Sequence, residues 1–120
     1  MKISREAMRL YAVSDRAWLK PGESLADVAE TLLQNGVTCF QLREKEAGRE
    51  EFRQLALEVQ PVCARHGVPF IIHDDVELAL ECGADGVHIG QSDENLAAAR
   101  RLLGQEKGFY DMQKLLFGDK

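Results

Sequence analysis

Short apolar runs alternate along the chain with longer segments in which apolar residues recur every three or four positions. The short runs are typical of buried β-strands and lie at residues 9–13, 37–43, 68–73 and 84–89. The longer segments are typical of helices and lie at residues 25–34, 50–65, 76–82 and 93–103. Strands that alternate with helices in this way predict βαβ units and a parallel sheet.

Capping residues and glycines mark the ends of the predicted helices. Ser24 is a suitable N-cap for the first helix, and Asp27, three residues later, is an acidic variant of the capping box. Pro61 lies inside the second helix and predicts a kink or an early end there. The four helices are expected to end at Gly36, Gly67, Gly83 and Gly104.

The number of units limits the fold class to two α/β architectures. Four βα units could form a small doubly wound sheet or half of a (β/α)8 barrel, because a complete barrel needs roughly 200 residues or more and this chain has 120. The last residues do not resemble a fifth strand, and a short helix is predicted at 111–117. We therefore expect the βα units to occupy residues 1–104 and an atypical tail to occupy residues 105–120.

Composition and charge exclude several classes of protein. The chain is 45% apolar and 29% charged, as globular domains are, and no uncharged apolar run approaches the ~18 residues of a membrane span. The formal net charge of −5 argues against nucleic acid as the main partner, because a surface that binds a phosphate backbone is normally basic. The first residues include Glu6 and only a short apolar stretch, which does not suit a secretory signal.

The cysteines indicate a reducing compartment. Cys39, Cys63 and Cys82 are odd in number and form no C-x-x-C pair. Without a secretory signal, this pattern predicts reduced and packed thiols in the cytoplasm, rather than a disulfide framework or a zinc site.

Polar and ionisable residues collect where the predicted strands end. Period-2 alternation puts Gln41 and Arg43 on one face of the second strand, and Lys45 follows just beyond. The end of the third strand carries His73, Asp74 and Asp75. The end of the fourth strand carries His88, Gln91 and Asp93. Because parallel α/β folds place active sites at the carboxyl ends of their strands, we expect these side chains to share one rim of the sheet.

The side chains at this rim suit a pyrophosphate group. Arg43 offers a planar fork for phosphate oxygens, and Lys45 offers a mobile point charge. Asp74 and Asp93 are hard oxygen ligands that suit Mg²⁺, which commonly takes one or two carboxylates together with substrate phosphates. Two cations and a metal around one anion predict a pyrophosphate site.

Each cluster also has a purely structural interpretation. A solvated turn with a surface ion pair would explain residues 43–45, and helix N-caps would explain the carboxylates at 74–75 and Asp93. His73 and His88 could bind Zn²⁺, but they lie on different strands without a third soft ligand nearby. The coincidence of three clusters at one rim favours a functional site.

Three separated motifs resemble the thiamine phosphate synthase family, in order and in register, over residues 9–104. They read LYAVSDRAWL, GVTCFQLREKEAG and GVPFIIHDDVELALECGADGVHIGQSD, and AARRLLG follows. The resemblance implies a (β/α)8 barrel. It also implies an enzyme that joins hydroxymethylpyrimidine pyrophosphate to thiazole phosphate, with Mg²⁺, to give thiamine phosphate and pyrophosphate.

The resemblance also implies roles for individual residues. Gln41, Arg43 and Lys45 would hold the pyrimidine pyrophosphate, and Asp74 and Asp93 would be the Mg²⁺ ligands. The family usually has Asn before the first of these aspartates, where it contacts the pyrimidine. This chain has the bulkier His73, which is still able to donate or accept one hydrogen bond. No residue is assigned a catalytic role.

The resemblance ends at Gly104. Family members continue into a fifth strand, a serine-containing loop, a later lysine and a Gly-rich phosphate site, which are not found after Gly104. The expectation is therefore a truncated synthase that is inactive alone. The alternatives are a non-catalytic module that binds pyrophosphate and Mg²⁺, or a relative of thiazole tautomerase on the same barrel.

An incomplete barrel also predicts self-association. Its first and last strands would leave open edges that invite pairing with another chain. The other half of the barrel would also bury one face of the sheet. Candidates for that face are Leu10, Ala12, Phe70 and Ile72, although strand alternation alone leaves open which alternate residues point inward.

Overall fold

The computed structural model describes residues 9–14, 19–44, 48–89 and 110–111. Its strands are β1 (Tyr11–Val13), β2 (Cys39–Leu42), β3 (Phe70–His73), β4 (Gly86–His88) and β5 (Tyr110–Asp111). Its helices are α1 (Leu25–Gln34), α2 (Arg49–Arg65) and α3 (Val76–Glu81). The predicted strands are confirmed but are shorter than the apolar runs, since the first two residues of each run precede the strand.

The strands form one parallel sheet in the order β1-β2-β3-β4-β5. The register pairs Tyr11 with Cys39 and His73 with His88. Consecutive strands that are adjacent, parallel and linked by helices form successive βα units of a (β/α)8 barrel, as predicted. The predicted fourth helix, at 93–103, lies outside the described residues.

The tail contains a short fifth strand, so the prediction of no strand there was wrong. Tyr110 pairs with Gly86 and Asp111 pairs with Val87, both in parallel register. The unpaired outer edge of β4 offers backbone N–H and C=O groups, and an extended segment that reaches this edge satisfies them. Asp111, which was expected to begin a helix, belongs to this strand, and residues 112–117 lie outside the described part of the chain.

The main hydrophobic core lies between one face of the sheet and the helices. The sheet contributes alternate strand residues to it, namely Phe40, Leu42, Phe70, Ile72 and Val87. Helices α1 and α2 contribute buried residues such as Leu33 and Val59. Burying each of these large side chains stabilises the fold by about 1.5–3 kcal/mol.

This core corrects the expectation about the opposite face of the sheet. Phe70 and Ile72 pack with the helices, Ala12 packs against the same core, and Leu10 is 50% exposed. Ile71, at an alternate position, is also buried but lies on the other face. Helices cover a parallel sheet with their apolar stripes. Large apolar strand residues such as Phe70 and Ile72 therefore face the helices.

The helix ends follow the predicted capping chemistry. Ser24 Oγ accepts a hydrogen bond from the Asp27 N–H at 3.1 Å, and Gly36 takes φ +102° just after α1. Helix α2 continues through Pro61 to Arg65, so the early end considered there did not occur. No helix in the described part of the chain is long and apolar enough to cross a lipid bilayer.

Candidate active site

The carboxyl ends of β1 to β4 bring polar side chains together at one rim of the sheet. Two strands end in histidine, since His73 is the last residue of β3 and His88 is the last residue of β4. Between them and β1 lies Gln41 of β2, which is 2% exposed. The predicted convergence of the second, third and fourth strand ends is therefore confirmed for these three residues.

Gln41 is the centre of a hydrogen-bond network at this rim. Its Nε2 donates to Tyr11 Oη at 2.6 Å and lies 3.0 Å from His88 Nδ1. Its Oε1 lies 3.2 Å from His73 Nδ1. A buried amide is costly unless its polar atoms are paired, and these three contacts pair both ends of the side chain.

The two histidines lie side by side across β3 and β4. Their ring centroids are 5.9 Å apart and their planes meet at 82°, an edge-to-face arrangement. The Gln41 amide joins their Nδ1 atoms. Among the described residues, no three His, Cys, Asp or Glu side chains lie close enough together to hold a metal ion.

Ser14 joins the end of β1 to the end of β2. Its N–H donates to the Gln41 carbonyl at 2.9 Å, and its Oγ accepts the Arg43 N–H at 3.0 Å and lies 3.3 Å from the Arg43 carbonyl oxygen. Ser14 is buried. These bonds fix the backbone from which the Arg43 side chain extends.

The Arg43 guanidinium contains a donor without a partner among the described residues. Its Nε is buried and has no hydrogen-bond acceptor in that part of the chain. Buried donors are nearly always paired in native proteins, so a buried and unpaired guanidinium N–H indicates a position where a ligand acceptor fits. A wholly solvated turn, the structural interpretation of Arg43, does not account for this burial.

The two adjacent aspartates after β3 have different environments. Asp75 caps α3 by accepting the Leu78 N–H at 2.9 Å, and its other oxygen pairs with Arg49 Nη1 at 2.9 Å. Asp74 is exposed and takes φ +63°, and its N–H donates to the His88 carbonyl at 2.8 Å. The helix-cap interpretation therefore holds for Asp75 and not for Asp74.

The left-handed backbone at Asp74 is unusual for a residue with a side chain. Such conformations cost about 1–2 kcal/mol, although Asp tolerates them better than most residues. They persist where the surroundings hold them, and they cluster at functional sites. In this chain the Asp74 N–H bond to His88 ties the strained residue to the end of β4.

Three of the predicted rim residues, Lys45, Gln91 and Asp93, lie outside the described residues. Two residues that the sequence analysis did not select belong to the network, Tyr11 and Ser14. Alternation could have indicated Tyr11, because its register with Cys39 puts it on the same sheet face as Gln41. Burial, opposed by the Gln41 hydrogen bond, raises the pKa of the Tyr11 phenol, so this group stays neutral at physiological pH.

The cysteines are buried and unpaired, as predicted. Burial raises the pKa of Cys39 and of Cys63 to about 12, and that of Cys82 to about 11. Such thiols remain protonated and unreactive near neutral pH, which makes them packing residues rather than nucleophiles.

A parallel α/β sheet in which successive strands are neighbours, with polar side chains at their carboxyl ends, is the architecture of part of a (β/α)8 barrel. Residues 10–108 match the family model described as thiamine monophosphate synthase. The chain belongs to this family.

Relatives and a solved structure agree with this membership. The chain is 48% identical over 101 residues to a thiamine-phosphate synthase of Albidiferax ferrireducens, a match that covers 84% of this chain and 46% of the relative. It is 40% identical over 115 residues to one of Caldanaerobacter subterraneus subsp. tengcongensis, covering 92% of this chain and 53% of that protein. A thiamine phosphate pyrophosphorylase from Pyrococcus furiosus superposes with a TM-score of 0.71 at 28% identity, over 82% of this chain and 46% of its own. The chain thus spans about half the length of the relatives it matches.

Proposed function

We propose that the rim is the pyrimidine-pyrophosphate part of a thiamine phosphate synthase site. In this proposal the chain binds hydroxymethylpyrimidine pyrophosphate with Mg²⁺, in the reaction that joins the pyrimidine to thiazole phosphate and releases pyrophosphate. The observation that carries the proposal is the buried Arg43 Nε, which has no acceptor among the described residues and stands at the carboxyl end of β2.

Arg43 is proposed to bind the pyrophosphate. A guanidinium binds phosphate oxygens through two parallel hydrogen bonds, which are stronger than neutral ones. Ser14 supports this role, because its hydroxyl fixes the Arg43 backbone on both sides of the residue. Lys45, two residues further on, is proposed to add a second positive charge to the same anion.

Gln41 and His73 are proposed to bind the pyrimidine. Both lie on the same rim as Arg43, and both carry polar atoms that hydrogen-bond to nitrogen heterocycles. The pyrimidine and its pyrophosphate are joined covalently, so a site that binds both needs heterocycle-binding and phosphate-binding groups side by side. Alternation on β2 supplies this arrangement through Gln41 and Arg43.

Asp74 is proposed to bind Mg²⁺, together with Asp93. The donor chemistry fits the ion, because the exposed Asp74 carboxylate is a hard oxygen ligand and Mg²⁺ usually takes one or two carboxylates plus phosphate oxygens. When bound, Mg²⁺ supplies positive charge to the pyrophosphate group. Asp75 is not proposed as a ligand, since both its oxygens are engaged by the helix cap and by Arg49.

The protein contributes to the reaction by placing positive charge where negative charge develops. As the pyrimidine–pyrophosphate bond breaks, charge accumulates on the leaving pyrophosphate, and Arg43 and Lys45 are proposed to balance it. Donors that are oriented before the reaction stabilise such charge without reorganisation. No residue of this chain is proposed as a general acid, a general base or a nucleophile.

A second candidate function is binding of the pyrimidine pyrophosphate and Mg²⁺ without turnover. The described rim favours this candidate, because the proposed roles of its residues cover the pyrimidine pyrophosphate and Mg²⁺ and assign no residue to thiazole phosphate. A tautomerase-like relative has less support, since it would not need the combination of Gln41, Arg43 and Lys45 with Asp74 and Asp93. The three buried free thiols support placing the chain in the reducing cytoplasm.

Titration calorimetry with hydroxymethylpyrimidine pyrophosphate, with and without Mg²⁺, tests the proposal. A charge-assisted contact to phosphate is worth about 1.5–3 kcal/mol. Arg43→Ala is therefore expected to raise the Kd by roughly 10- to 150-fold, at 1.4 kcal/mol per tenfold. Omitting Mg²⁺ is expected to weaken wild-type binding as well.

Arg65→Ala is the matched control. Arg65 is 64% exposed at the end of α2 and pairs only weakly with Glu30, at 4.0 Å, so its removal changes the net charge equally without touching the rim. Its Kd should match the wild-type value. Metal-independent binding that Arg43→Ala and Arg65→Ala change to the same extent would overturn the proposal.

A further inference from the structure

Gln41 hydrogen-bonds to two histidines through opposite ends of one amide group. Its Oε1 lies 3.2 Å from Nδ1 of His73, and its Nε2 lies 3.0 Å from Nδ1 of His88. Both histidines thus use the same ring atom, Nδ1, but they contact chemically different atoms of the amide, an oxygen and a nitrogen. This asymmetry constrains where each imidazole carries its proton.

A neutral imidazole has one protonated nitrogen, which donates, and one unprotonated nitrogen, which accepts. An amide oxygen only accepts, so Nδ1 of His73 must carry the proton in order to bond to Oε1. An amide nitrogen only donates, so Nδ1 of His88 must be unprotonated in order to accept from Nε2. We infer that Gln41 is a positioning residue that holds His73 and His88 in opposite tautomers, Nδ1–H on His73 and Nε2–H on His88.

Tyr11 is the third partner of the amide. Gln41 is buried, and its Nε2 has a third contact, the 2.6 Å bond to Tyr11 Oη. Both Nε2 hydrogens are thus used, one for Tyr11 and one for His88, while Oε1 bonds to His73 and keeps a second lone pair. The phenol remains an available acceptor across the physiological range, because it stays neutral and its O–H rotates to suit.

The consequence concerns the second nitrogen of each ring. Nε2 of His73 becomes an acceptor and Nε2 of His88 becomes a donor. A group that bonds to Nε2 of His73 must therefore donate, and one that bonds to Nε2 of His88 must accept. Two neighbouring rings of the same chemical type thus have opposite hydrogen-bonding character. The inference concerns the protein without ligand and stands independently of the proposed function.

Long-range ¹H–¹⁵N correlation spectra of the ¹⁵N-histidine-labelled chain measure the tautomers directly. The chain contains three histidines, so a His66→Gln variant leaves the two rim rings and His73→Asn then assigns them. At pH 8, the protonated nitrogens are expected to be Nδ1 of His73 and Nε2 of His88. The same tautomer on both rings, or the reversed pair, would overturn the inference.

Gln41→Leu tests whether the amide is the cause. Leucine has a similar size but neither donor nor acceptor, so the opposite pair of fixed tautomers is expected to be lost. Gln34→Leu, at the exposed end of α1, is the matched control and should leave the wild-type spectrum unchanged. Opposite tautomers that persist in folded Gln41→Leu would show that another group sets them and would overturn the inference. If this variant does not fold, the wild-type spectrum alone decides.

Discussion

Ser14 ties the end of β1 to the end of β2 at the rim. It follows a strand of only three residues, Tyr11–Val13, and yet it makes three hydrogen-bond contacts with β2 and the residue after it. Two of these contacts involve its hydroxyl, which binds the N–H and the C=O of Arg43. A short strand gains little from its own ladder, so a side chain that bridges to the next strand matters more there.

Ser14→Ala should weaken both stability and ligand binding. The change leaves the Arg43 N–H without its acceptor, and an unsatisfied buried donor costs about 1–3 kcal/mol. Because Arg43 then loses its fixed backbone, the Kd for hydroxymethylpyrimidine pyrophosphate is expected to rise about tenfold, equivalent to ~1.4 kcal/mol. Urea denaturation and calorimetry measure the two effects.

Ser24→Ala separates these two effects. It removes the N-cap of α1, at a cost of about 0.5–2 kcal/mol, and lies away from the rim. Similar losses of stability are expected for both serine variants, but only Ser14→Ala should raise the Kd. Equal binding by the two variants would argue against a positioning role for Ser14.

At the scale of secondary-structure elements, the turn from β3 to α3 combines a strained residue with a stabilising one. Asp74 has φ +63°, whereas its neighbour Asp75 caps α3 and pairs with Arg49. Two adjacent residues of the same type thus have opposite effects on folding. The strained one is also the proposed Mg²⁺ ligand.

Substitutions at the two positions should change stability in opposite directions. Asp75→Ala removes the cap of α3 and an exposed ion pair, and is expected to lower the free energy of unfolding by about 1–2 kcal/mol. Asp74→Gly relieves the positive φ and is expected to raise that energy slightly, by up to about 1 kcal/mol. Urea denaturation measures both changes.

The same two variants should also differ in how their pyrophosphate binding depends on Mg²⁺. Asp74→Gly is expected to abolish the Mg²⁺-dependence of pyrophosphate binding in calorimetry, while Asp75→Ala should retain it. A larger loss of stability in Asp74→Gly than in Asp75→Ala would mean that the left-handed turn is not strained. Retained Mg²⁺-dependence in Asp74→Gly would remove this residue from the proposed site.

At the scale of the whole molecule, the sheet has two outer strands, β1 and β5. Alternate residues of β1 direct their N–H and C=O groups away from β2, and no strand in the described part of the chain pairs with that side. A closed barrel has no such edge. Leu10, directly before β1, is 50% exposed and adds apolar surface there.

We therefore expect the 120-residue chain to self-associate through these edges. Sedimentation velocity at several concentrations should give a mass above that of one chain. Leu10→Lys places a charge beside the β1 edge and should reduce association, because charged residues at sheet edges oppose pairing. Leu57→Lys is the matched control, since Leu57 is 41% exposed on α2, away from the edge.

Two results would contradict this prediction. The first is a monomer at every concentration, which would show that the open edges do not pair. The second is equal association of Leu10→Lys and Leu57→Lys, which would show that the β1 edge is not the contact.

The sequence by itself determined the elements and their order. Apolar periodicity located every described strand except β5, and the capping residue Ser24 located the start of α1. Alternation on β2 put Gln41 and Arg43 on one face, and the rule for carboxyl ends put them on one rim with His73 and His88. These features depend on neighbours within a few positions along the chain, which is why local patterns reveal them.

Only the tertiary structure decided which sheet face meets the helices and what each rim residue contacts. Gln41 bonds to His88, 47 residues away, and Ser14 bonds to Arg43, 29 residues away. Local patterns also did not predict that Asp74 takes a left-handed backbone while Asp75 caps α3, or that Tyr110 pairs with β4. The physical reason is that a hydrogen bond is set by the distance and angle between two groups, and folding alone brings groups from distant positions of the chain within that range.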